Sequence, residues 1–374
     1  MTVAVELGSR PVNVWWQSNL LFQQGDPFNI VTRSTRVADT GDIYTVDPPL
    51  RYVPLAVVHA LTPGLSNSVS THLYTTIVSY VVLPATVAAF FYAVGGLRSA
   101  VFTLLGFMSW RAVGVGRIGY HTGWWHYDHT LPFVFLALLA AHEALVWDTK
   151  SGSYALAAAT GLVIGVSGLN QYIMGALTAL IVVIACLWKR RHIELAICGT
   201  VGSAVGSIFL FAPPKTFSFV AEKATGTRLG VGAEWSLETI GGGFLSLFTT
   251  AGYLFPFVLI LLVIGTMWHL DSDVSRSTIL TASLLVLAPF WLITTVVVPL
   301  RWLSMLAQYI LQYLLLGCVM IALSETLSGV SNRYWHRTNQ LLFERKDRTT
   351  GGIWTVLIAA LTVALITVVP VTTP

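Results

Sequence analysis

Residues 121–129 read His121-Thr122-Gly123-Trp124-Trp125-His126-Tyr127-Asp128-His129, three imidazoles and a carboxylate at the head of an apolar run. Imidazole and carboxylate are ligands for a divalent cation, and residues i and i+2 on an extended approach to a helix converge on one ion. A belt of aromatic side chains at a membrane surface would explain Trp124, Trp125 and Tyr127, but not the ionisable cluster. Asp26, in Gly25-Asp26-Pro27-Phe28, has two readings: a cap on a helix beginning at Pro27, or a carboxylate of a site. Asp47 before two prolines has the chemistry of a turn. Between Lys215 and about residue 245 lie Glu222, Glu234 and Glu238. Most loop carboxylates are merely solvated, yet one of these three would be enough to complete a set of ligands. Arg301, between apolar runs ending at Leu300 and starting at Trp302, is either a snorkelling anchor or a grip on a lipid-linked phosphate, and Arg117 invites the same two readings. His142 and Glu143 lie inside an apolar run, with Asp148 just beyond. An intramembrane ionisable pair is a functional candidate unless, near the inner end, it simply reaches water.

The elements that must position these residues are membrane spans. Of 374 residues, 55% are hydrophobic and 10% charged, against about 25% charged in an ordinary soluble domain. The mean hydropathy is +0.72. That leaves too little polar surface for soluble domains, and excludes a cytosolic enzyme, a disordered scaffold and a disulfide-stapled secreted module. Runs long enough to span fall near 72–94, 99–114, 129–147, 153–168, 170–188, 193–213, 245–268, 277–299, 302–324 and 352–371. The fold expected is an all-α polytopic membrane protein with about ten transmembrane helices. Residues 1–71 form an N-terminal segment on one face, and 72–374 the transmembrane domain.

With 1–71 outside, the inward loops hold Arg98, Lys150, Lys189-Arg190-Arg191, Arg276, Arg333, Arg337, Arg345, Lys346 and Arg348, eleven of the 21 basic residues. The outer stretches hold the rest but are more than twice as long, and long segments count little in the positive-inside rule. Loops near 115–128 and 214–244 then share the outer face with Asp26. The net charge of +4 is explained by this topology, and no nucleic-acid site is read. Cys186, Cys198 and Cys318 sit in apolar runs without metal-ligand or redox spacing. Residues 1–71 show no signal-peptide pattern, so the expectation is a further span upstream of the start. No internal repeat is visible.

An acidic residue, an aromatic-bearing stretch, Pro48-Pro49-Leu50, and a second acidic motif at the next outer loop together resemble the GT-C superfamily of membrane glycosyltransferases. Within it they are most similar to archaeal oligosaccharyltransferase catalytic subunits. Gly25-Asp26-Pro27-Phe28 looks like their first acidic motif, and Gly123-Trp124-Trp125-His126-Tyr127-Asp128 like the second, with His126-x-Asp128 in the place of an acidic pair. Ser236-Leu237-Glu238-Thr239 matches the family's loop Glu motif, as does Val220-Ala221-Glu222 more loosely. Leu300-Arg301-Trp302 resembles the Arg-aromatic start of a late span. The soluble C-terminal domain of those subunits and their W-W-D-Y-G motif have no counterpart in this sequence.

The resemblance implies transfer of a sugar or oligosaccharide from a polyprenyl phosphate or pyrophosphate to an acceptor protein or glycolipid, on the extracytoplasmic face of the cell membrane. Asp26, Asp128 and Glu238 would be catalytic, and Arg301 and Arg117 would hold donor phosphate. Mn2+ or Mg2+ would be held by Asp26, His126, Asp128 and Glu238. The alternatives are a GT-C monosaccharide transferase with a lipid monophosphate donor and Asp26 as general base, a transporter, and a non-catalytic scaffold. A transporter would place ionisable pairs at the bilayer midplane in Gly/Pro-broken, repeated spans. Only Gly161, Gly165 and Gly168 hint at that here.

Overall fold

In the computed structural model, residues 26–41, 50, 52–113, 129–207, 236–249, 258, 260, 263, 277–297, 303–304 and 306–321 are described, and among them there is no strand. Three helices form an N-terminal unit: α1 (Asp26–Thr40), α2 (Val53–Leu61) and α3 (Asn67–Ile77). They close on a small apolar core of Val37, Tyr52, Leu55 and Ala56. Pro54 begins α2, where its missing N–H costs nothing.

A single π-helical turn, Val78–Val82, joins α3 to α4 (Leu83–Val113), the Leu83 N–H bonding to the Val78 carbonyl five residues back. Pro84 supplies the reason: its ring would press on the carbonyl four residues earlier, and the widened turn makes room. α4 breaks at Gly96, whose φ of 78° and ψ of −174° only glycine adopts without strain. Ala88, Ala100 and Leu104 share one buried cluster. In an unbroken helix Ala88 and Leu104 would stand about 24 Å apart, so the chain folds back at Gly96 into two antiparallel arms. This is the boundary expected between spans 72–94 and 99–114.

The remaining helices are α5 (Leu131–Val146), α6 (Lys150–Asn170), α7 (Tyr172–Trp188), α8 (His192–Gly206), α9 (Leu237–Thr249), α10 (Thr278–Val296) and α11 (Leu306–Ile321). α6 and α10 are long and apolar enough to cross a membrane, as is Leu83–Phe107 when counted through its fold at Gly96, and α5, α7 and α11 are shorter apolar helices. α5, α6, α7, α10 and α11 fall on expected spans to within a few residues. The span expected near 352–371 lies outside the described residues, as does most of 245–268.

Glycines set the closest helix contacts. A side chain at Gly161 would strike the Cys198 carbonyl, and one at Gly165 would meet Val205 and the Gly202 carbonyl, so α6 and α8 run parallel with their backbones touching. Such small-residue seams are how helices gain packing where no water drives them together. The main core joins α4, α5 and α11 through aromatic rings: Phe90 lies 6.0 Å from Phe135, Phe135 6.0 Å from Tyr313, and Phe107 stacks on Tyr313 at 5.4 Å.

Candidate functional site

The helix directions divide the bundle into two ends. At one, Ser153 Oγ lies 2.8 Å from the Ala144 carbonyl and 2.9 Å from Glu194 Oε1, two acceptors that share its single proton, and Arg191 pairs with Glu194 at 3.1 Å. This end joins α5 to α6 and α7 to α8, and it carries Lys150, Lys189, Arg190 and Arg191. The Gly96 fold and the C-terminus of α11 belong here too, since a side chain at Gly95 would touch Ile321. His142 Nδ1 lies 3.5 Å from Ser277 Oγ at the start of α10. Glu143, beside it, is also partly buried.

The opposite end carries the N-terminal unit. Leu50 N donates to the Leu169 carbonyl at 3.2 Å, fixing the approach to α2 onto the turn between α6 and α7. On α3, Tyr74 meets His129 edge to face at 4.9 Å. His129 and Thr130 are buried at 6% and 0% exposure, directly ahead of α5. α9 reaches the same end, because Gly243 lies against the Val296 carbonyl in the last residue of α10. Ser304, just before α11, is fully buried there.

Of the expected site residues, Asp26 is the first of α1. Glu238 is exposed in the first turn of α9, where a carboxylate is favoured by the helix dipole. Arg117, His126, Asp128 and Arg301 lie outside the described residues, as do Glu222 and Glu234. Among the described residues, His129 at the head of α5, the C-terminus of α10 and Ser304 ahead of α11 are at the end that bears α1–α3. Among the described residues no group of three His, Cys, Asp or Glu gathers to hold a metal.

Sequence reasoning did not find the best-defined polar cluster at this end. His59, 7% exposed on α2, has its Nε2 2.9 Å from Ser34 Oγ of α1 and its Nδ1 2.6 Å from Ser70 Oγ of α3. Both serines are fully buried. Asn67 Nδ2 adds a bond to Thr35 Oγ1 at 2.7 Å. Burial holds the His59 imidazole below its ordinary range, against a smaller upward pull from Asp39. The partners lie 25 and 11 positions away, so no local spacing betrays the cluster.

No protein-family model matches the sequence, and no curated protein matches it. The fold, by contrast, has solved counterparts. ArnT from Cupriavidus metallidurans bound to undecaprenyl phosphate is similar over 97% of this chain and 76% of its own, at 14% identity and a TM-score of 0.57. The apo state of ArnT covers the same shares at 14% identity, with a TM-score of 0.52.

Proposed function

We propose that this chain is a membrane glycosyltransferase, moving a sugar or oligosaccharide from a polyprenyl phosphate or pyrophosphate to an acceptor at the α1–α3 end, on the extracytoplasmic face. The observation that supports this reading is the likeness of the fold to that of ArnT bound to undecaprenyl phosphate, with the N-terminal unit, His129, α9 and the start of α11 gathered at one end. The opposite end holds the basic turns, which suits a cytoplasmic orientation.

In the transfer, an acceptor nucleophile attacks the anomeric carbon while the lipid phosphate leaves. Negative charge grows on the departing phosphate oxygens, and Arg301 and Arg117 would offset it by charge-assisted hydrogen bonds. Asp26 would orient the acceptor or take its proton, with Asp128 and Glu238 completing the acidic site. The donor set of Asp26, His126, Asp128 and Glu238, rich in carboxylate oxygen, suits Mn2+ or Mg2+. Such an ion, when bound, supplies positive charge beside the leaving phosphate.

Two forms of the reaction differ in donor. The sequence motifs favour oligosaccharide transfer to protein. The undecaprenyl phosphate bound to ArnT favours a lipid monophosphate donor and a single sugar.

The test is transfer by the purified chain in lipid nanodiscs with a native lipid-linked sugar extract, with and without Mn2+, beside Asp26→Ala and Asp128→Ala. Separating monophosphate from pyrophosphate donors in the extract distinguishes the two forms. Loss of transfer in both variants is expected. Arg301→Ala should weaken undecaprenyl phosphate binding about 10- to 100-fold, the worth of one charged hydrogen bond. Undiminished transfer in both aspartate variants would overturn the assignment.

A further inference from the structure

His59 stands in the middle of a path of contacts from α1 to His129 at the head of α5. Asp26 opens α1; two turns later Ser34, on the same helix, meets His59. His59 meets Ser70 of α3, and Tyr74, one turn beyond Ser70 on the same helix face, packs on His129. His129 directly follows Asp128. Every contact in the path is a buried or half-buried side chain.

We propose that His59 is a positioning residue whose neutral imidazole, bridging Ser34 and Ser70, sets the placement of the helix that begins at Asp26 relative to His129 at the head of α5, the residue that follows Asp128 in sequence. The proposal rests on the reading of Asp26 and Asp128 as the acidic motifs of the site, but its geometry stands without any chemistry at them.

The hydroxyl partners define the protonation state. Ser34 Oγ also donates to the Val31 carbonyl at 3.0 Å, which leaves it an acceptor for an Nε2–H. Ser70 then donates to Nδ1. Protonation at Nδ1 would force the Ser70 hydroxyl to turn toward the carbonyls of Ser66 and Asn67, at 3.3 and 3.2 Å, and would bury a charge. The groups placed to respond are few. α1 presents Asp39, the one charge acting on the ring, with Arg33 and Arg36 exposed on the same helix. α3 carries His72 and Tyr74 in its sequence, and Tyr52 stands at the N-cap of α2. Because the folded imidazole titrates below its unfolded value, the bridge contributes fully above about pH 6.5 and is lost as pH falls through the lower, folded value.

The experiment is a pulsed electron resonance distance measurement on the full chain in nanodiscs, with spin labels at Thr32→Cys on α1 and Val146→Cys at the far end of α5. Both positions are exposed, and all three native cysteines are free and buried, so labelling is selective. The wild-type background should give one narrow distribution at about pH 8 that broadens at a second, acidic pH below the ordinary histidine range. His59→Ala should be broad at both values. His59→Gln, which can donate to one serine and accept from the other without ever carrying charge, should be narrow at both. A purely space-filling role would leave the wild-type distribution unmoved by pH and would not distinguish Gln from Ala; either result overturns the proposal. The distances need no sugar donor, so absence of transfer in every variant would count against the glycosyltransferase reading and not against His59.

Discussion

The Tyr74 ring stands edge-on to the His129 imidazole, planes at 90° and centroids 4.9 Å apart, and so ties the N-terminal unit to the head of α5. Ring pairs of this kind contribute about 0.5–1.5 kcal/mol beyond the area they bury. Tyr74→Phe should therefore leave the junction intact. Tyr74→Ala should speed amide exchange in the first turn of α5 and in α3, with little change in α6–α8. Equal exchange in the two variants would show that the ring does not hold the junction.

Gly96 turns the chain back between the two arms of α4 with a backbone conformation closed to side chains. Nothing lies within 4 Å of where a Cβ would stand, so the penalty for a larger residue is backbone strain alone. Gly96→Val should cost about 1–3 kcal/mol. A lower thermal midpoint in nanodiscs, with Gly168→Val as the control at another open glycine whose φ is not positive, checks it.

At Gly161 the obstacle is the opposite one. A Cβ there collides with the backbone carbonyl of Cys198, which cannot swing aside as a side chain would. Gly161→Leu should force α6 from α8 and destabilise the fold by about 1–3 kcal/mol or more, the cost of overpacking. Gly199→Leu, on α8 but facing open space, should do little. Unfolding in a detergent series distinguishes them.

Gln312 of α11 is fully buried, and neither its Oε1 nor its Nε2 has a hydrogen-bond partner among the described residues. An amide in that state costs about 1–3 kcal/mol relative to one that is satisfied. Gln312→Leu, close in volume, should raise the thermal midpoint. A fall instead would mean that the amide holds a water or a bound ligand in the working protein.

Much of the architecture was legible because membranes impose a length. Apolar runs placed α5, α6, α7, α8, α10 and α11 near their observed bounds, and the break expected between 94 and 99 coincides with the fold between the arms of α4. α1 begins at Asp26, one residue ahead of the helix expected to start at Pro27. The likeness to ArnT, over 97% of this chain, is one of fold. What the sequence hid is everything that depends on distant partners. His59 sits among alanines, valines and leucines on a nine-residue helix and reads as filler until Ser34 and Ser70 are brought to it. Tyr74 and His129 are 55 positions apart. Arg117, His126, Asp128 and Arg301 remain known by their motifs and by where their flanks lead.

The π turn at Val78–Val82 works as a rotary joint. One residue beyond an α-helical turn advances the helix by about 100°. That advance lets Ser70 and Tyr74 look toward His59 and His129 while, past the joint, Val87 and Phe91 look into the bundle core. Chain length is consequently constrained here more tightly than residue type. Exchanging one aliphatic side chain for another would be absorbed, whereas deleting a single residue would swing the whole outer unit about a quarter-turn off its seat.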